Sequence, residues 1–381
     1  MTRPMAERAI GIGLIGLGGQ GGEHLRMLLA LGQAKIVALC DVDRDVLDRA
    51  EVAARHCGHE PFTSRDHRLL LERSNVDAVY ISVPDDLHEK VAVAALEAGK
   101  DIFLEKPIAH TPEAAETILA AAEKNGRIVQ TGLVYRYAML YRRMAELVAS
   151  GEIGRPVMAW CQEFRQPFPD TPWYHSQGRT GGTLNEKDCH HFDLFNWMLG
   201  SRPRRVFASG SRAVLVPGGG YLIGRKSDGA PRYLEYGDNV DHASLVVEYE
   251  SGAMAQLNLC LFLTPPDWSH HYYDVGVVGS NGRVLRSDAT RGMLVVTGGQ
   301  EGNRREEIQV REPEGPCTFH PGGVLQHVEF LECVRERREP FASGRVGREA
   351  SLVAFAGERS IQEGRVVDIA ELDPKTRPGP Q

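Results

Sequence analysis

The stretch AIGIGLIGLGGQGGEHLRMLLALG, residues 9–32, contains the spacing G-x-G-x-x-G twice. A dinucleotide-binding turn of this spacing needs a strand before it and a helix after it. The second match, GLGGQG at 16–21, meets both conditions, because residues 10–15 are apolar and GEHLRMLLALG has helical spacing that stops at Gly32. The first match would need the short polar segment AERAI as its strand. We therefore predict that the chain turns at the second match.

This predicted turn gives each of its three spaced glycines a different role. Gly16 makes the tight turn, Gly18 lets the backbone approach a pyrophosphate, and Gly21 lets the helix pack close to the strand. The helix N-terminus then presents N–H groups and a partial positive charge to the phosphates. The other residues of the turn that are predicted to line the nucleotide are Leu17, Gly19 and Gln20.

An acidic residue follows the second predicted strand. The apolar segment KIVALC ends at Cys40, and Asp41 comes next, 20 residues after Gly21. An acid at this distance accepts hydrogen bonds from the adenosine ribose. Because it also repels a 2′-phosphate, Asp41 favours NAD over NADP, although Arg44 close by leaves NADP open.

The pattern of the remaining chain predicts two domains. Strand and helix patterns alternate up to residue 133, which is typical of a parallel, doubly wound sheet. Later segments show period-two alternation and hairpin turns such as YESGA and GSNGR. We predict a Rossmann α/β domain over residues 1–135 and an α+β domain over 136–381 with a large, mostly antiparallel open sheet, whose last helix packs back on the first domain. The glycine-rich insertion 217–238 is predicted as a surface loop.

Composition narrows the class of protein. The 381 residues are 42% apolar, enough for a large core, and the net charge of −7 argues against nucleic acid or anionic lipid as a partner. No apolar run is long enough to cross a bilayer, and the charged N-terminus does not resemble a signal peptide. The seven cysteines are odd in number and lack a C-x-x-C pair, which indicates reduced thiols in a cytoplasmic protein.

Two candidate sites follow strands of the first domain. In LEKP, Lys106 stands at a strand end between Glu105 and Pro107. A lysine that loses its proton in a nucleotide cleft suits proton transfer with an alcohol that is losing hydride, whereas the plainer interpretation is a surface salt bridge before a turn. The second candidate is VPDDLH, which contains Val83, Pro84 and His88.

A third candidate is the stretch GGTLNEKDCHHFDLFNWMLG at 181–200, a glycine turn followed by a helix. Glu186 and His190 are four residues apart and share a helical face, where they could bind and polarise a hydroxyl, while His191 points elsewhere. The alternative is an acid favoured by the helix dipole and a core histidine. Adjacent residues of DCHH point apart on a helix, so we predict no metal site there.

Together these motifs resemble the glucose–fructose oxidoreductase / inositol dehydrogenase / rhizopine catabolism (Gfo/Idh/MocA) family. The matching motifs, in order along the chain, are GLIGLGGQG, Asp41, VPDDLH, LEKP, SGEIGRP, and GG leading to H..D...W..G. The resemblance implies bound NAD or NADP and hydride transfer on a sugar, cyclitol or related polyol. It implies that Lys106 exchanges a proton with the reacting hydroxyl, that Pro84 and His88 lie near the nicotinamide, and that the peptide before Pro107 is cis.

The chain departs from the family pattern in the second domain. Glu186 stands where the family has aspartate four residues before the histidine, which puts the role of Glu186 in doubt. The resemblance also places Arg136 near the cleft and makes Trp173 and Tyr174 candidates for stacking on a sugar or touching the cofactor. Packing of the two aromatic residues under the insertion is the alternative.

The function predicted from the sequence is an NAD-dependent dehydrogenase of a sugar, glycoside or cyclitol, with Lys106 as acid/base. One variant retains its cofactor between two half-reactions. The alternatives are an NADP-dependent sugar ketoreductase and a non-catalytic nucleotide-binding regulator of the same fold. Apolar residues in LVVEY and LNLCLFL predict burial of the open sheet in a homodimer or homotetramer.

Overall fold

The computed structural model describes residues 9–376 except 217, 219–220, 226–228, 235–236, 264–271, 290, 300–301, 303 and 314–320. The chain divides into two compact units, the first comprising Met1–Ala138 and Pro313–Arg348 and the second Met139–Glu312 and Glu349–Gln381. The domain limits 1–135 and 136–381 stay a prediction. The compact units differ from them chiefly in the segment Pro313–Arg348, which packs with the first unit.

Strands and helices are numbered here in chain order. The strands are β1 Ile10–Ile15, β2 Ala34–Cys40, β3 Phe62–Ser64, β4 Ala78–Ile81, β5 Asp101–Leu104, β6 Val129–Thr131, β7 Pro156–Phe164, β8 Pro203–Ser211, β9 Leu222–Arg225, β10 Pro231–Tyr233, β11 His242–Tyr249, β12 Met254–Cys260, β13 Tyr272–Gly279, β14 Arg283–Asp288, β15 Met293–Gly298, β16 Arg305–Gln309 and β17 Val367–Asp368. The helices are α1 Gly19–Leu31, α2 Arg44–His56, α3 His67–Leu71, α4 His88–Glu97, α5 Pro112–Asn125, α6 Met139–Ala149, α7 Gln177–Thr180, α8 Thr183–Leu199, α9 Gly323–Glu336 and α10 Gly344–Glu363.

The first unit is built on a parallel sheet of six strands in the order β3-β2-β1-β4-β5-β6. This order confirms the predicted doubly wound Rossmann fold. The strands read as continuous apolar runs because both faces of the sheet are covered. One face packs against α4 and α5, and the other buries Tyr80 and Phe103 against Phe330 of α9.

The helix ends in this unit follow the signals in the sequence. Gly32 ends α1 and Gly126 ends α5, each in the left-handed conformation that glycine adopts most easily. At the start of α5, the Thr111 hydroxyl accepts the Ala114 N–H at 3.1 Å, and Pro112 occupies the first turn. The Thr111 cap fixes the end of the loop that follows β5, where Lys106 lies.

The second unit contains a sheet of nine strands in the order β16-β15-β14-β13-β7-β12-β11-β8-β17. Only the pair β7–β12 is parallel among its described pairings, so the predicted mostly antiparallel sheet is confirmed. Along β11, Ala243, Leu245 and Val247 are buried on one face. On the described strands of this sheet, four large apolar side chains lie exposed: Met158, Phe207, Val246 and Met254.

The insertion 217–238 is described in part, and its residues 217, 219–220, 226–228 and 235–236 lie outside the described residues. Its described residues include the antiparallel pair β9–β10, where a surface loop was expected. Six cysteines are free thiols, and Cys317 is outside the described residues. Among the helices in the described ranges, none combines the length and apolar character needed to cross a membrane.

Candidate active site

The glycine turn forms at the second sequence match, as predicted. Gly16 has a φ of 83°, and its N–H donates to the Cys40 carbonyl at 2.9 Å. A Cβ on Gly16 would lie 2.4 Å from the Ser82 carbonyl oxygen, and one on Gly21 would lie 1.9 Å from the Gly16 carbonyl oxygen. Glycine is therefore required at both positions by direct steric contact with backbone.

The glycine turn leaves open space beside Gly18 and Gly19. A Cβ on Gly18 or Gly19 would meet no atom within 4 Å, and Gly18 is the N-cap of α1 with a φ of −67°. The first N–H groups of a helix have no intrahelical acceptors and favour an anion. Leu17 anchors the turn by its buried side chain, and Gln20 lies on the first turn of α1. The residues present therefore fit the pyrophosphate of a dinucleotide.

The Asp41 carboxylate lies against this turn, at the C-terminal end of β2. Its Oδ2 accepts the Leu17 N–H at 2.6 Å, and its Oδ1 accepts the Asp43 N–H at 2.8 Å. Arg44, the residue that left NADP open, is exposed and faces Asp48 at 3.3 Å. The acid is thus fixed in orientation next to the glycine turn, and a carboxylate with two such contacts keeps lone pairs for further donors.

The loop after β4 is tied to the LEKP loop by a buried histidine. His88 Nδ1 lies 2.9 Å from the Pro107 carbonyl oxygen, and Nε2 lies 2.9 Å from the Val83 carbonyl oxygen. Burial lowers the pKa of His88, although both carbonyl contacts oppose that shift. Pro84 precedes a short 3₁₀ turn that leads into α4. His88 therefore sets the distance between the two loops.

Lys106 follows the end of β5, and its peptide bond to Pro107 is cis, as the resemblance implied. Glu105 lies beside it: Oε2 accepts the Lys106 backbone N–H at 3.0 Å, and Oε1 lies 2.7 Å from Nε2 of His24. Burial acts to raise the pKa of Glu105, but the hydrogen bond from His24, together with Lys106, holds it below its ordinary value. Glu105 is therefore a carboxylate next to Lys106.

Helix α8 of the second unit begins at a pair of left-handed glycines, Gly181 and Gly182. Glu186 and His190 lie one turn apart on this helix, and both are buried. The backbone N–H of Leu184 donates to Oε1 of Glu358 at 2.8 Å, so a buried carboxyl group of α10 caps the helix. Glu186 thus lies in the first turn of α8 and His190 near the middle of the helix, both within the core of their unit.

The opposite side of α8 carries a buried cluster of charges that we call the Glu163 cluster: Glu163, Lys187, Asp188, His191 and Tyr273. Lys187 Nζ lies 3.0 Å from Glu163 Oε1, and His191 contacts Asp188 at 2.9 Å, Glu163 at 3.0 Å and the Tyr273 hydroxyl at 3.0 Å. Burial works to lower the pKa of His191, yet Cys161, Glu163 and Asp188 beside it raise that pKa well above its usual range. Burial likewise works to raise the pKa of Glu163, but Lys187 and His191 hold it well below.

The Glu163 cluster also bears on the metal prediction. Ligand atoms of Glu163, Asp188 and His191 lie within 4.8 Å of one another, the spacing of a possible cation site. The three come from β7 and from positions three apart on α8, rather than from the adjacent histidines of the sequence motif. Lys187 and a protonated His191 already supply positive charge to the two carboxyl groups. The absence of a metal stays a prediction.

The remaining substrate candidates lie in two places. Arg136 of the first unit is buried, with its guanidinium carbon 4.8 Å from the centre of the Phe341 ring. In the second unit, Trp173 and Tyr174 stack on each other with ring centres 3.7 Å apart, and Tyr174 also stacks on Phe168. Trp173 and Tyr174 are both partly exposed, so they form an aromatic surface on that unit.

Sequence reasoning missed several buried polar residues near these groups. His24 was read as part of an apolar helix, although its position four residues before Leu28 places both on the buried face of α1. Glu163 and Lys187 were read as ordinary alternating or helical residues. Nothing in the sequence around Glu358 indicates its role, since its hydrogen-bond partner Leu184 lies 174 residues earlier.

The fold and the candidate site together indicate the class of protein to which this chain belongs. A doubly wound sheet with a glycine turn, an acid after β2 and a lysine after β5 is the architecture of a dinucleotide-dependent oxidoreductase. Residues 10–133 match the family model GFO_IDH_MocA, described as "Oxidoreductase family, NAD-binding Rossmann fold", and residues 145–369 match its "C-terminal alpha/beta domain". The chain belongs to the Gfo/Idh/MocA oxidoreductase family, which confirms the resemblance seen in the motifs. It is an NAD(P)-binding oxidoreductase.

Named relatives span nearly the whole chain. Inositol 2-dehydrogenase 3 of Saccharopolyspora erythraea is 35% identical over 372 residues, 97% of each chain. Myo-inositol 2-dehydrogenase of Thermotoga maritima is 28% identical over 363 residues, 95% of this chain and 99% of that protein. The crystal structure of an oxidoreductase domain protein from Kribbella flavida superposes with a TM-score of 0.79 at 25% identity, over 95% of this chain and 99% of that one.

Proposed function

We propose that this oxidoreductase is an NAD-dependent dehydrogenase that oxidises a secondary hydroxyl of a sugar, glycoside or cyclitol. Two full-length relatives with inositol dehydrogenase names support the polyol class. The observation that carries the proposal is the position of Lys106. It follows β5, on the edge of the sheet where parallel strands end and where nucleotides bind, and His88 ties its loop to the loop after β4.

Lys106 is proposed as the acid/base group. Alcohol oxidation requires a group that accepts the hydroxyl proton as the C–H electron pair leaves. When bound, the nicotinamide ring supplies the hydride acceptor. Lys106 in its amine form takes the hydroxyl proton, and the charge of the neighbouring Glu105 carboxylate then stabilises the resulting ammonium. In the reverse direction the ammonium returns the proton to the ketone oxygen.

NAD is the proposed cofactor, since the residues near the ribose position are acidic. Asp41 is held against the turn by the Leu17 N–H, where its charge repels a 2′-phosphate. Arg44 is engaged with Asp48 on the exposed side of α2, which supports this preference. The residues assigned to the cofactor are Gly16, Leu17, Gly18, Gly19, Gln20, Gly21, Asp41, Val83, Pro84, His88, Glu105 and Lys106.

The residues proposed to bind the polyol comprise an acid–histidine pair, two aromatic side chains and an arginine. Glu186 and His190 offer a carboxylate and an imidazole one turn apart on α8, a pair that can hold and polarise a hydroxyl. The stacked Trp173 and Tyr174 offer an apolar face of the kind that sugar rings pack on. Arg136 is retained as a further candidate.

Two properties of the whole protein complete the proposal. The exposed Met158, Phe207, Val246 and Met254 lie on strands of the nine-stranded sheet and favour its burial against a second copy, as a dimer or tetramer. Six free cysteines favour a reducing, cytoplasmic location.

A direct test titrates the purified protein with NAD and NADP, then follows absorbance of reduced nicotinamide with a panel of inositols, sugars and glycosides. The proposal expects tighter binding of NAD and turnover of at least one polyol. In the Lys106→Ala variant, NAD binding should stay within a few-fold while kcat falls about 100-fold or more. Binding without turnover would favour the regulator, and preference for NADP would favour the ketoreductase.

A further inference from the structure

A row of buried polar side chains crosses the first unit and ends at Glu105; we call it the His24 network. It joins Tyr80 of β4, His327 of α9, His24 of α1 and Glu105 after β5. The Tyr80 hydroxyl lies 3.1 Å from Nδ1 of His327, whose Nε2 lies 3.4 Å from Nδ1 of His24, whose Nε2 lies 2.7 Å from Glu105. Tyr80, His327 and His24 are all at most 2% exposed.

The ring nitrogens of the two histidines can all be satisfied with both rings neutral. The Tyr80 hydroxyl donates to His327, the Nε2–H of His327 donates to His24, and the Nε2–H of His24 donates to Glu105. Burial lowers the pKa of His327 well below its usual range, in agreement with a neutral ring. The donors therefore run in one direction and end on the Glu105 carboxylate.

Glu105 is held by several elements at once. Oε1 faces His24, and Oε2 accepts the backbone N–H of Lys106. A Cβ on Gly132 would lie 3.0 Å from the carboxylate, so the absence of a side chain there gives Glu105 its room. The other titratable groups whose charges reach this carboxylate are Lys106 itself and His88 of α4. Movement of His24 would therefore be transmitted to the lysine backbone.

We propose that His24 is a positioning residue for Lys106. By holding the Glu105 carboxylate, His24 fixes the backbone N–H of Lys106, and it joins that peptide to α1, the helix that begins at the glycine turn. The histidine does not touch the reacting atoms. This inference rests on the proposed function, because it needs Lys106 to be the acid/base group.

Loss of His24 has two expected effects. Without the donor, Glu105 is a buried carboxylate with one contact fewer, and burial then favours its protonated form. The ammonium of Lys106 loses a stabilising anion, so the midpoint of the kcat–pH profile moves to lower pH. The backbone also loses an anchor, and small displacements of a reacting group reduce kcat by about 10- to 100-fold. NAD binding, made by the glycine turn, stays within a few-fold.

The experiment compares His24→Leu, His24→Gln and the control His56→Gln, which replaces an exposed histidine at the end of α2. The glutamine at 24 keeps an N–H near the Nε2 position, so it should restore both kcat and the pH midpoint towards wild type. His56→Gln should match wild type. If His24→Leu leaves kcat and the midpoint unchanged, or if His24→Gln is as poor as His24→Leu, the proposal is wrong.

Two further measurements separate this inference from the proposed function. In a Lys106→Ala background, His24→Leu should cause little additional loss of kcat, since it acts through the lysine. Turnover that survives in Lys106→Ala alone would instead overturn the acid/base assignment. Histidine ¹⁵N NMR of the protein without cofactor should show an exchange-protected Nε2–H on His24 that shifts in Glu105→Gln. Absence of that proton would overturn the network whatever the activity.

Discussion

Glu358 is a buried carboxyl group whose protonation should be visible in the stability of the whole second unit. Its Oε1 caps α8 by accepting the Leu184 N–H at 2.8 Å, and a Cβ on Gly182 would lie 2.2 Å from its carboxyl carbon. Burial raises the pKa of Glu358 to about 7 from an ordinary 4.5, against the hydrogen bond from Leu184 and with help from the charge of Asp188.

The sign of the pH dependence follows from this shift. Between pH 4.5 and about 7 the folded state holds a proton on Glu358 that the unfolded state has released, so the free energy of unfolding falls as pH rises through this range. Below pH 4.5 Glu358 is protonated in both the folded and the unfolded state, so its titration no longer lowers the free energy of unfolding. The complete penalty, reached above the folded-state pKa, is about 3 kcal/mol.

The perturbation is Glu358→Gln, which keeps an oxygen acceptor for Leu184 but cannot ionise. Relative to wild type, the variant should gain about 3 kcal/mol in unfolding free energy between pH 4.5 and 8.5. Urea unfolding followed by circular dichroism at several pH values measures this gain. Glu349→Gln, an exposed substitution on the same helix, is the control and should show little pH-dependent gain. A Glu358→Gln difference that stays constant within about 0.5 kcal/mol across the range would refute the reasoning.

Three further outcomes are expected. Asp41→Asn keeps one oxygen that can accept the Leu17 N–H but removes the charge, so the NAD/NADP affinity ratio measured by calorimetry should fall about tenfold; an unchanged ratio contradicts the cofactor assignment. Gly18→Ala should fold with an unchanged Tm and bind NAD weakly, whereas Gly21→Ala should also lose Tm because its methyl meets backbone; equal Tm values would contradict this contrast. Lys187→Met should cost about 3–5 kcal/mol in urea unfolding, since it breaks a buried ion pair and leaves Glu163 with fewer cationic partners, and a cost below about 1 kcal/mol would disprove the ion pair.

Local patterns in the sequence were sufficient to predict the position of the glycine turn and of the helix that carries Glu186 and His190. The choice between two overlapping glycine matches depends only on flanking hydrophobicity, and Gly16 indeed has the positive φ of the turn. The alternation of Ala243, Leu245 and Val247 similarly predicted an antiparallel sheet with one buried face. Each of these inferences uses residues within about two turns or one strand of each other.

The polar interior could not be predicted in the same way. His24 meets Glu105 across 81 residues and His327 across 303, and no periodicity in a single segment specifies such pairs. A histidine on the buried face of an apolar helix signals only that some partner exists. The buried position of Glu163 follows from the period-two alternation of β7. Its ion pair with Lys187 could not be predicted, because that pair depends on how α8 packs against the sheet.

The contribution of α9 to the first unit has a consequence for biosynthesis. Phe330 covers Tyr80 and Phe103, and the side-chain amide of Gln130 donates to the carbonyl of Gln326, 196 residues further along. While a ribosome is still translating the second unit, the nascent nucleotide-binding half therefore exposes the part of its apolar sheet face, around Tyr80 and Phe103, that α9 later covers. Completion of that half must await translation of α9, and a nascent-chain chaperone has a defined surface to protect until then.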